Sequence, residues 1–535
     1  MTQRSYKIGR AREQASLLPA CIEDYVGQDN PVRAIDAYVD SLDLVAMGFR
    51  DVGSDRGAGQ PPYDPADLTK LYLYGYLNQV RSSRRLAREA GRNTEVLWLL
   101  GGLVPGYRTI ANFRKDNAEG LRAVNRDFVL LARELQLLGG AVVAIDGAFF
   151  HGDASKASIV TENRVQHQVA AVSRSIAEYE SALESNDRAE EAAAAAAPAP
   201  ASAAQMAQRL AELRRRRAAV ATDLARLRDS GQGQLSRTDP DARLLSKQGQ
   251  TVAGYNVQIA VDDKHKLIVA SAVVNDGNDT GQLAAMAQAA KAALGAETLT
   301  VVADTGYYNG EALKECEEAA ITAYVPSPDR DQRLKGQGRF SLAQFHYDAA
   351  ADRYRCPAGA ELRPMRGHKR QASGKILIRY ASRRSVCRDC PLRRRCLAKT
   401  GERREIERWV HEDVIERHRA RLHRDGAAMM RRRKALAEHP FGTLKCRAGY
   451  RHFLVRGFEK VRGEWSLMAL CYNFSRVLRL VGLDRLRTAL AMRAGKPGHR
   501  RTLDLQAAAR RFRHALLALA RALVQSPASQ PPTRA

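Results

Sequence analysis

Residues 139–150 have the sequence GGAVVAIDGAFF, an apolar run of strand length that ends in a carboxylate at Asp146. Residues 298–309, TLTVVADTGYYN, have the same form, with Asp304 at the point where hydrophobic residues give way to polar ones. Both runs predict buried strands. Two separate strands would therefore deliver acids to one edge of a sheet.

The segments around these two strands predict a mixed sheet. Residues 251–276 contain two β-rich runs separated by the turn-like DDKHK, which is a hairpin signal. Helical patterns follow at 280–294 and 310–320, and ITAYVPS at 321–327 is a further strand. The order strand, hairpin, helix, strand, helix, strand indicates an α/β fold of the ribonuclease H-like type, with helices on both faces of the sheet.

Residues 161–245 predict a helical hairpin inserted after the first strand. Two stretches step by alternating threes and fours, as coiled coils do. The seam positions are Val165, Val169, Val172, Ile176, Tyr179 and Leu183, then Met206, Leu210, Leu213, Arg217, Val220, Leu224 and Leu227. The low-complexity sequence EEAAAAAAPAPASAA lies between them, and its prolines end any continuous helix. We expect this hairpin to serve packing or partner contact rather than chemistry.

Residues 64–117 predict three short helices. Basic residues recur along them, for example Arg108, Arg114 and Lys115. Short helices with exposed Arg and Lys are typical of a small DNA-binding module, and a plain helical subdomain is the alternative.

The chain has 535 residues and a formal net charge of +27. Lys and Arg outnumber acids by 24 to 8 between Arg363 and Lys434, and by 13 to 2 between Arg476 and Ala535, which accounts for the whole excess. Charge concentrated in this way indicates a polyanionic partner, and a solvated basic face is the alternative. No apolar run is long enough to span a membrane and the N-terminus has no signal-peptide core, so we expect no membrane contact and a cytoplasmic location.

The two strand-end acids suit a divalent metal. Mg²⁺ takes carboxylate oxygens, and a pair of ions on such a site supports phosphodiester chemistry. Two carboxylates neutralise only part of that charge, so a third acid is expected. Glu438 in ALAEHPFGTLK (435–445) is the candidate, with Lys445 seven residues later on the same helical face if Pro440 leaves the helix continuous. The rival carboxylates near the site are Asp262, Asp276 and Asp279.

Four of the eight cysteines are clustered. Cys356, Cys387, Cys390 and Cys396 give one lone thiol, a C-x2-C and a C-x5-C. Four thiolates in a reducing compartment indicate a closed, structural zinc site that staples a small ribbon. The remaining four, Cys21, Cys316, Cys446 and Cys471, are expected to be ordinary buried residues.

Four quoted stretches carry a family resemblance. They are AIDGAFFHGDASK, GYNVQIAVDDKHKLIV, VVADTGYYNGEALKEC and AEHPFGTLKCRAGYRHFLVRGFEKVRGEWSLMALCYNFSRVL. Together they resemble bacterial insertion-sequence transposases of the DDE class, in the branch with a cysteine-rich segment before the third acid. The resemblance implies that Asp146, Asp304 and Glu438 are the metal-binding catalytic acids and that Lys445 is the lysine of the third motif.

The same resemblance extends to residues that would bind DNA. The family has a tyrosine and an arginine ahead of the glutamate, where this chain has Arg431 and Lys434. Arg451 and Arg456, which follow the third acid, could hold phosphates, an affinity that falls with salt.

The implied activity is cleavage of double-stranded DNA at element ends with Mg²⁺ or Mn²⁺, followed by strand transfer to target DNA, by a homodimer assembled on DNA. A ribonuclease H-like nuclease that cuts without joining, and a non-catalytic DNA-binding remnant, are the alternatives. The expected domains are an N-terminal helical DNA-binding domain (1–137), a catalytic core (138–160, 246–330 and 411–482), the hairpin insertion (161–245), a zinc-ribbon-like insertion (331–410) and a basic tail (483–535).

Overall fold

A computed structural model describes residues 21–50, 61–192, 200–247, 249–329 and 332–494. Its helices are α1 (Val32–Asp40), α2 (Pro65–Leu77), α3 (Ser83–Ala90), α4 (Thr94–Leu99), α5 (Tyr107–Asp116), α6 (Ala118–Glu134), α7 (Glu162–Ala192), α8 (Pro200–Asp229), α9 (Leu283–Leu294), α10 (Gly310–Glu318), α11 (Gln332–Gly336), α12 (Arg384–Arg388), α13 (Arg393–Cys396), α14 (Glu412–Gly442), α15 (Phe458–Val481) and α16 (Leu483–Ala494). Its strands are β1 (Val142–His151), β2 (Ile159–Thr161), β3 (Gln234–Ser236), β4 (Arg243–Lys247), β5 (Gln250–Asp262), β6 (Ile268–Val274), β7 (Leu299–Val302), β8 (Ile321–Tyr324), β9 (His346–Asp348), β10 (Arg353–Arg355), β11 (Glu361–Arg370), β12 (Ile376–Ala381) and β13 (Glu405–Trp409).

The main sheet is mixed and has β1 at its centre. β1 is antiparallel to β5 and parallel to β7, while β6 flanks β5 and β8 flanks β7. β4 pairs with the first residues of β5, beyond the reach of β6. The strands and the hairpin predicted from the sequence are confirmed, and the fold is mixed α/β.

Helices cover both faces of this sheet because β1 is apolar on both sides. Val142 and Ala144 pack with Leu436 and Ala437 of α14. The alternate residues Val143 and Ile145 share a core with α9 and α10 on the opposite face. Successive side chains of a strand point to opposite faces, so the continuous apolar run serves two layers at once.

The predicted helical hairpin is confirmed as α7 packed against α8. Val172 and Ile176 meet Leu213, and nearer the sheet Val165 meets Val220. The two helices run antiparallel, and α8 begins at Pro200, where the missing backbone N–H costs no helical hydrogen bond. The hairpin starts and ends at the β2–β3 pair.

The N-terminal helices share the largest core with the sheet. Tyr38 packs edge-to-face against Phe128 of α6 and contacts the tilted ring of Phe474 of α15. The carboxylate of Glu464 in α15 accepts hydrogen bonds from Tyr76 at 2.7 Å and Arg114 at 3.4 Å. Because Glu464 is fully buried, these contacts fix α2 and α5 against α15.

A second sheet of five antiparallel strands, in the order β13-β12-β11-β10-β9, follows the main one. Its small core contains Tyr354, Leu362, Tyr380 and Ile406. α12 and α13 carry Cys387 and Cys396, with Cys390 between them, and both helices lie between β12 and β13 in the chain.

Three local expectations are corrected. α9 begins at Leu283 rather than at residue 280. α14 continues through Pro440, and Lys445 then falls in a π-helical turn, Thr443–Arg447, instead of in regular α-helix. Cys316 and Cys471 are buried as expected, but the expectation is wrong for Cys21 and Cys446, which are exposed.

The basic tail lies outside the described residues from 495 onward, after α16. Within the described ranges, no helix combines the length and the apolar character needed to cross a bilayer.

Candidate active site

Asp146 and Asp304 come together at one edge of the main sheet. β1 and β7 run parallel, with Ala144 opposite Val302, so each acid lies two residues beyond this pair. Asp304 Oδ1 accepts a hydrogen bond from the backbone N–H of Gly306 at 2.9 Å, which starts a 3₁₀ turn. The two acids therefore face the same space from adjacent strands.

Arg433 of α14 joins the two carboxylates. Its Nη2 lies 3.1 Å from Asp146 Oδ1 and 3.4 Å from Asp304 Oδ2. Burial raises the pKa of Asp146, with the charge of Asp304 acting in the same direction and the guanidinium of Arg433 opposing it. The arrangement concentrates two negative charges and balances them with one cation.

A buried polar network supports this edge from behind. Asp279 Oδ1 accepts hydrogen bonds from Asn256 Nδ2 at 2.8 Å and Gln258 Nε2 at 2.7 Å. The hydroxyl of Tyr307 donates to Gln258 Oε1, and burial raises the pKa of Tyr307. Every polar atom named here has a partner, which is how buried polar groups avoid a desolvation penalty.

Gly147 lies against this network immediately after Asp146. A Cβ at residue 147 would come within 2.4 Å of Gln258 Nε2, 2.8 Å of Asp279 Oδ1 and 3.0 Å of the Tyr307 hydroxyl. The missing side chain is what lets the network reach the backbone beside the catalytic candidate.

Lys247 brings a second cation to the same edge. Its Nζ lies 3.1 Å from Asp279 Oδ2. Burial disfavours the charged lysine, but Asp279, Asp304 and Asp146 outweigh it and raise the pKa of Lys247. A lysine held in this way stays protonated at neutral pH.

Glu438, the predicted third acid, is exposed on α14, and no hydrogen bond or ion pair joins it to Asp146 or Asp304. The residues on either side of it reach β1. Arg433 contacts Asp146, and Lys445 Nζ donates to the carbonyl oxygen of Phe149 at 2.8 Å. The segment that carries Glu438 therefore runs along β1 between these two contacts.

The other predicted site residues are dispersed. Arg431 and Lys434 are exposed on α14, on faces that turn away from Arg433. Arg451 Nε donates to the carbonyl of Lys445 at 3.2 Å, and Arg456 pairs with Asp153 at 2.8 Å.

Of the rival carboxylates, only Asp279 belongs to this edge of the sheet. Asp262 binds the backbone N–H groups of Gly139 and Gly140 beside the start of β1, and Asp276 accepts a hydrogen bond from Gln282.

The donor set at the sheet edge suits a hard divalent cation in its chemistry, since both Asp146 and Asp304 offer carboxylate oxygens to one shared cation. Across the described part of the chain, no group of three or more His, Cys, Asp or Glu side chains has the geometry of a metal site.

The four clustered cysteines line one cavity of about 440 Å³. The lining includes Cys356, Cys387, Cys390 and Cys396. Burial raises the pKa of the Cys396 thiol, and the other three cysteines act in the same direction, while Arg404 opposes them. The four cysteines therefore line the same cavity without the geometry of a metal site among the described residues, and Ser382 Oγ lies 2.8 Å from Cys387 Sγ.

The sequence interpretation missed Arg433, Lys247, Gln258 and Tyr307, and it named Asp279 only as a rival carboxylate. One signal was present for Arg433, because residues 433, 437 and 441 recur at four-residue spacing and both Ala437 and Phe441 are buried. Nothing local distinguished the others, since their partners are distant in the chain.

Two family models match parts of this chain. Residues 355–478 match a family model described as a transposase DDE domain, and residues 20–116 match one described as a transposase domain, DUF772. No curated protein matches. A cryo-EM structure of a piggyBac transposase synaptic complex with hairpin DNA is similar over 91% of this chain and 83% of that one, at 8% identity and a TM-score of 0.29, a likeness that carries no argument.

Proposed function

We propose that the chain is a DNA transposase of the DDE class, as the two transposase domain matches indicate, and that Asp146, Asp304 and Glu438 are its catalytic acids. The observation that carries this proposal is the shared guanidinium, because Asp146 and Asp304 lie close enough to balance one cation. The strand order β6-β5-β1-β7-β8, in which only β5 runs antiparallel to β1, supports a ribonuclease H-like core around them.

A divalent ion, Mg²⁺ or Mn²⁺, held by these three acids would activate the attacking oxygen and stabilise the leaving one. The first reaction is attack of water on a phosphodiester at the element end, which frees a 3′-hydroxyl. That hydroxyl then attacks a phosphodiester of target DNA, forms the new bond and releases a target 3′-hydroxyl. No covalent bond between protein and DNA is needed.

The protein's own residues would position the DNA for both reactions. Arg431, Lys434, Lys445, Arg451 and Arg456 are the phosphate-binding candidates around Glu438. When DNA arrives, Arg451 and Arg456 would exchange their present partners, the Lys445 carbonyl and Asp153, for phosphates. The N-terminal helices (1–137) and the basic tail (483–535) would extend this surface.

The cysteine cavity would hold a structural zinc. All four thiols line the same space, and the sheet around it has a core of only a few aromatic and aliphatic residues. A tetrahedral thiolate site would link α12 and α13 to the turn after β10 and replace the stability that a larger core supplies. Metal analysis of protein purified without chelators is expected to give about one zinc per chain.

The decisive experiment uses a duplex taken from the DNA that flanks the gene, with Mg²⁺ or Mn²⁺ present. The parent protein is expected to cut at the element end and to join the cut end to a plasmid. Glu438→Gln should lower cutting by at least about 100-fold while DNA binding persists, because an amide is a poor ligand for a divalent ion.

Each outcome decides between the alternatives. Glu438→Gln with full cutting activity would show that the third acid is elsewhere. Cutting without joined products would favour a nuclease, and binding without any cutting by the parent would favour a DNA-binding remnant. A homodimer on DNA would appear in light scattering as a complex of two protein chains with one DNA duplex.

A further inference from the structure

Lys247 occupies a position that the activity described so far does not use. It is the last residue of β4, the short strand that pairs with β5 beyond the reach of β6. The side chain is 41% exposed, whereas its partner Asp279 is 5% exposed. The ammonium group therefore has one side held by the protein and another open to solvent.

Asp279 is built to hold this lysine rather than to take a metal. Its Oδ1 already accepts two hydrogen bonds, from Asn256 and Gln258, and its Oδ2 accepts from Lys247 at 3.1 Å. A carboxylate whose oxygens are fully engaged has little capacity left for a cation. The three donors fix its orientation, and the fixed carboxylate in turn fixes the lysine.

Lys247 lies within electrostatic reach of the acids of the active site. The charges of Asp304 and Asp146 both act on its ammonium group. A Cβ on Gly306 would lie 3.0 Å from Asp304 Oδ1 and 3.6 Å from Asp279 Oδ2, so only a backbone with no side chain separates the two carboxylates. A group bound at Asp146 and Asp304 would have Lys247 beside it.

We propose that Lys247 binds a non-bridging oxygen of the phosphodiester that reacts at Asp146 and Asp304, and that Asp279 is the positioning residue that aims it. This inference rests on the proposed function. A phosphodiester gains negative charge on its equatorial oxygens as it is attacked, and a pre-oriented cation stabilises that charge without reorganising. The ligand class is the phosphate of a DNA strand.

The test compares Lys247→Met with Lys247→Arg and Asp279→Asn in the full chain. Cutting is measured on the element-end duplex and on the same duplex with a neutral methylphosphonate at the cut position. Lys264→Met is the matched control, because Lys264 is an exposed lysine that donates to the carbonyl of Gln136 near the start of β1.

Lys247→Met should lower kcat on the natural duplex by about 100-fold with a small change in KM. Lys247→Arg should recover part of that loss. On the methylphosphonate duplex, the parent and Lys247→Met should cut at similar low rates, because the charge that Lys247 recognises is absent. Asp279→Asn should show the same pattern with a smaller loss of kcat. A structural defect would instead lower the cutting rate equally on both substrates.

Two failures are distinguishable. If the parent cuts and Lys247→Met cuts equally well on the natural duplex, the role of Lys247 is overturned and the proposed function stands. If the parent cuts neither duplex under any metal condition, the proposed function itself fails. Should Asp279→Asn not fold, the two Lys247 variants still decide the matter.

Discussion

The guanidinium of Arg433 lies 3.1 Å from Asp146 Oδ1, at the point where β1 meets α14. The same nitrogen reaches Asp304, so one cation balances two acids from different strands. If Asp146 and Asp304 hold a divalent ion as proposed, that ion would take the position of this guanidinium, and Arg433 would compete with the metal.

Arg433→Gln should therefore lower the thermal stability of the metal-free protein and raise its affinity for a divalent metal. Without the guanidinium, two carboxylates face each other unbalanced, and we expect the melting temperature in EDTA to fall by about 2–4 °C. Mn²⁺ should bind up to about tenfold more tightly, because it no longer displaces a cation. Thermal melting and calorimetric Mn²⁺ titration measure the two effects.

Arg432→Gln is the control for Arg433, since the neighbouring arginine pairs with Asp263 instead. It should leave Mn²⁺ affinity unchanged. Weaker Mn²⁺ binding by Arg433→Gln would contradict the expected competition and would show that Arg433 supports metal binding.

Gly147→Ala should disrupt the site because the added methyl group overlaps with the buried network. The added Cβ would press on Gln258, Asp279 and Tyr307, none of which can retreat from a buried hydrogen-bonded network. We expect a loss of about 1–3 kcal/mol in the free energy of unfolding and a parallel drop in cutting rate. Gly277→Ala serves as the comparison, because a Cβ there meets nothing within 4 Å. Equal stability of the two variants would show that the hydrogen-bonded network shifts to accommodate the added methyl group.

Glu464→Gln should destabilise the contact between the N-terminal helices and α15. The buried carboxylate balances Arg114 at 3.4 Å and Arg81 at 4.0 Å and accepts from the backbone N–H of Leu454. Its loss leaves buried guanidinium charge uncompensated, and we expect the free energy of unfolding in urea to fall by about 3–5 kcal/mol.

Glu459→Gln provides the matched measurement on the same helix. Its side chain is 67% exposed and pairs with Arg122 and Arg462 at the surface. The expected loss is below about 1 kcal/mol. A similar loss for both variants would mean that the N-terminal helices do not depend on the buried charge.

His418 should make the protein less stable as the pH falls from about 6.5 to about 4. The ring is fully buried on α14, and its Nε2 accepts a hydrogen bond from the backbone N–H of Val325 at 3.3 Å. Burial lowers the pKa of His418 to about 4, with Arg421 acting in the same direction. The unfolded imidazole, with a pKa near 6.5, takes up a proton first, so stability present above that pH is lost as the pH falls.

The size of this pH dependence is set by the uptake of one proton by His418 on unfolding. The free energy of unfolding of the parent relative to His418→Gln should fall by up to about 1.4 kcal/mol per pH unit within that window and level off below it. For His423→Gln, at an exposed position of the same helix, the free energy of unfolding should change with pH in the same way as that of the parent. Parallel curves for His418→Gln would show that the buried imidazole is not the titrating group.

The strands β1, β5, β6, β7 and β8, the helical hairpin and the two sheet-edge acids followed from the sequence alone. Each depends on local hydrophobic periodicity, since a buried strand such as residues 142–145 must be apolar on both faces and a packed helix pair must repeat its seam. The sequence therefore predicted that Asp146 and Asp304 lie at one edge of a sheet, and the structure added the parallel pairing of β1 and β7 that brings them together.

Only the tertiary structure decided which cations stand beside those acids. Residues 431–434 are four consecutive basic residues, and their chemistry does not distinguish them. The packing of Leu436 and Ala437 on β1 sets the rotation of α14, and that rotation turns Arg433 inward and leaves Arg431 and Lys434 exposed. Lys247 and Asp279 likewise meet across 32 residues. Contacts of this kind depend on the relative placement of whole elements, which the pattern of any single segment does not contain.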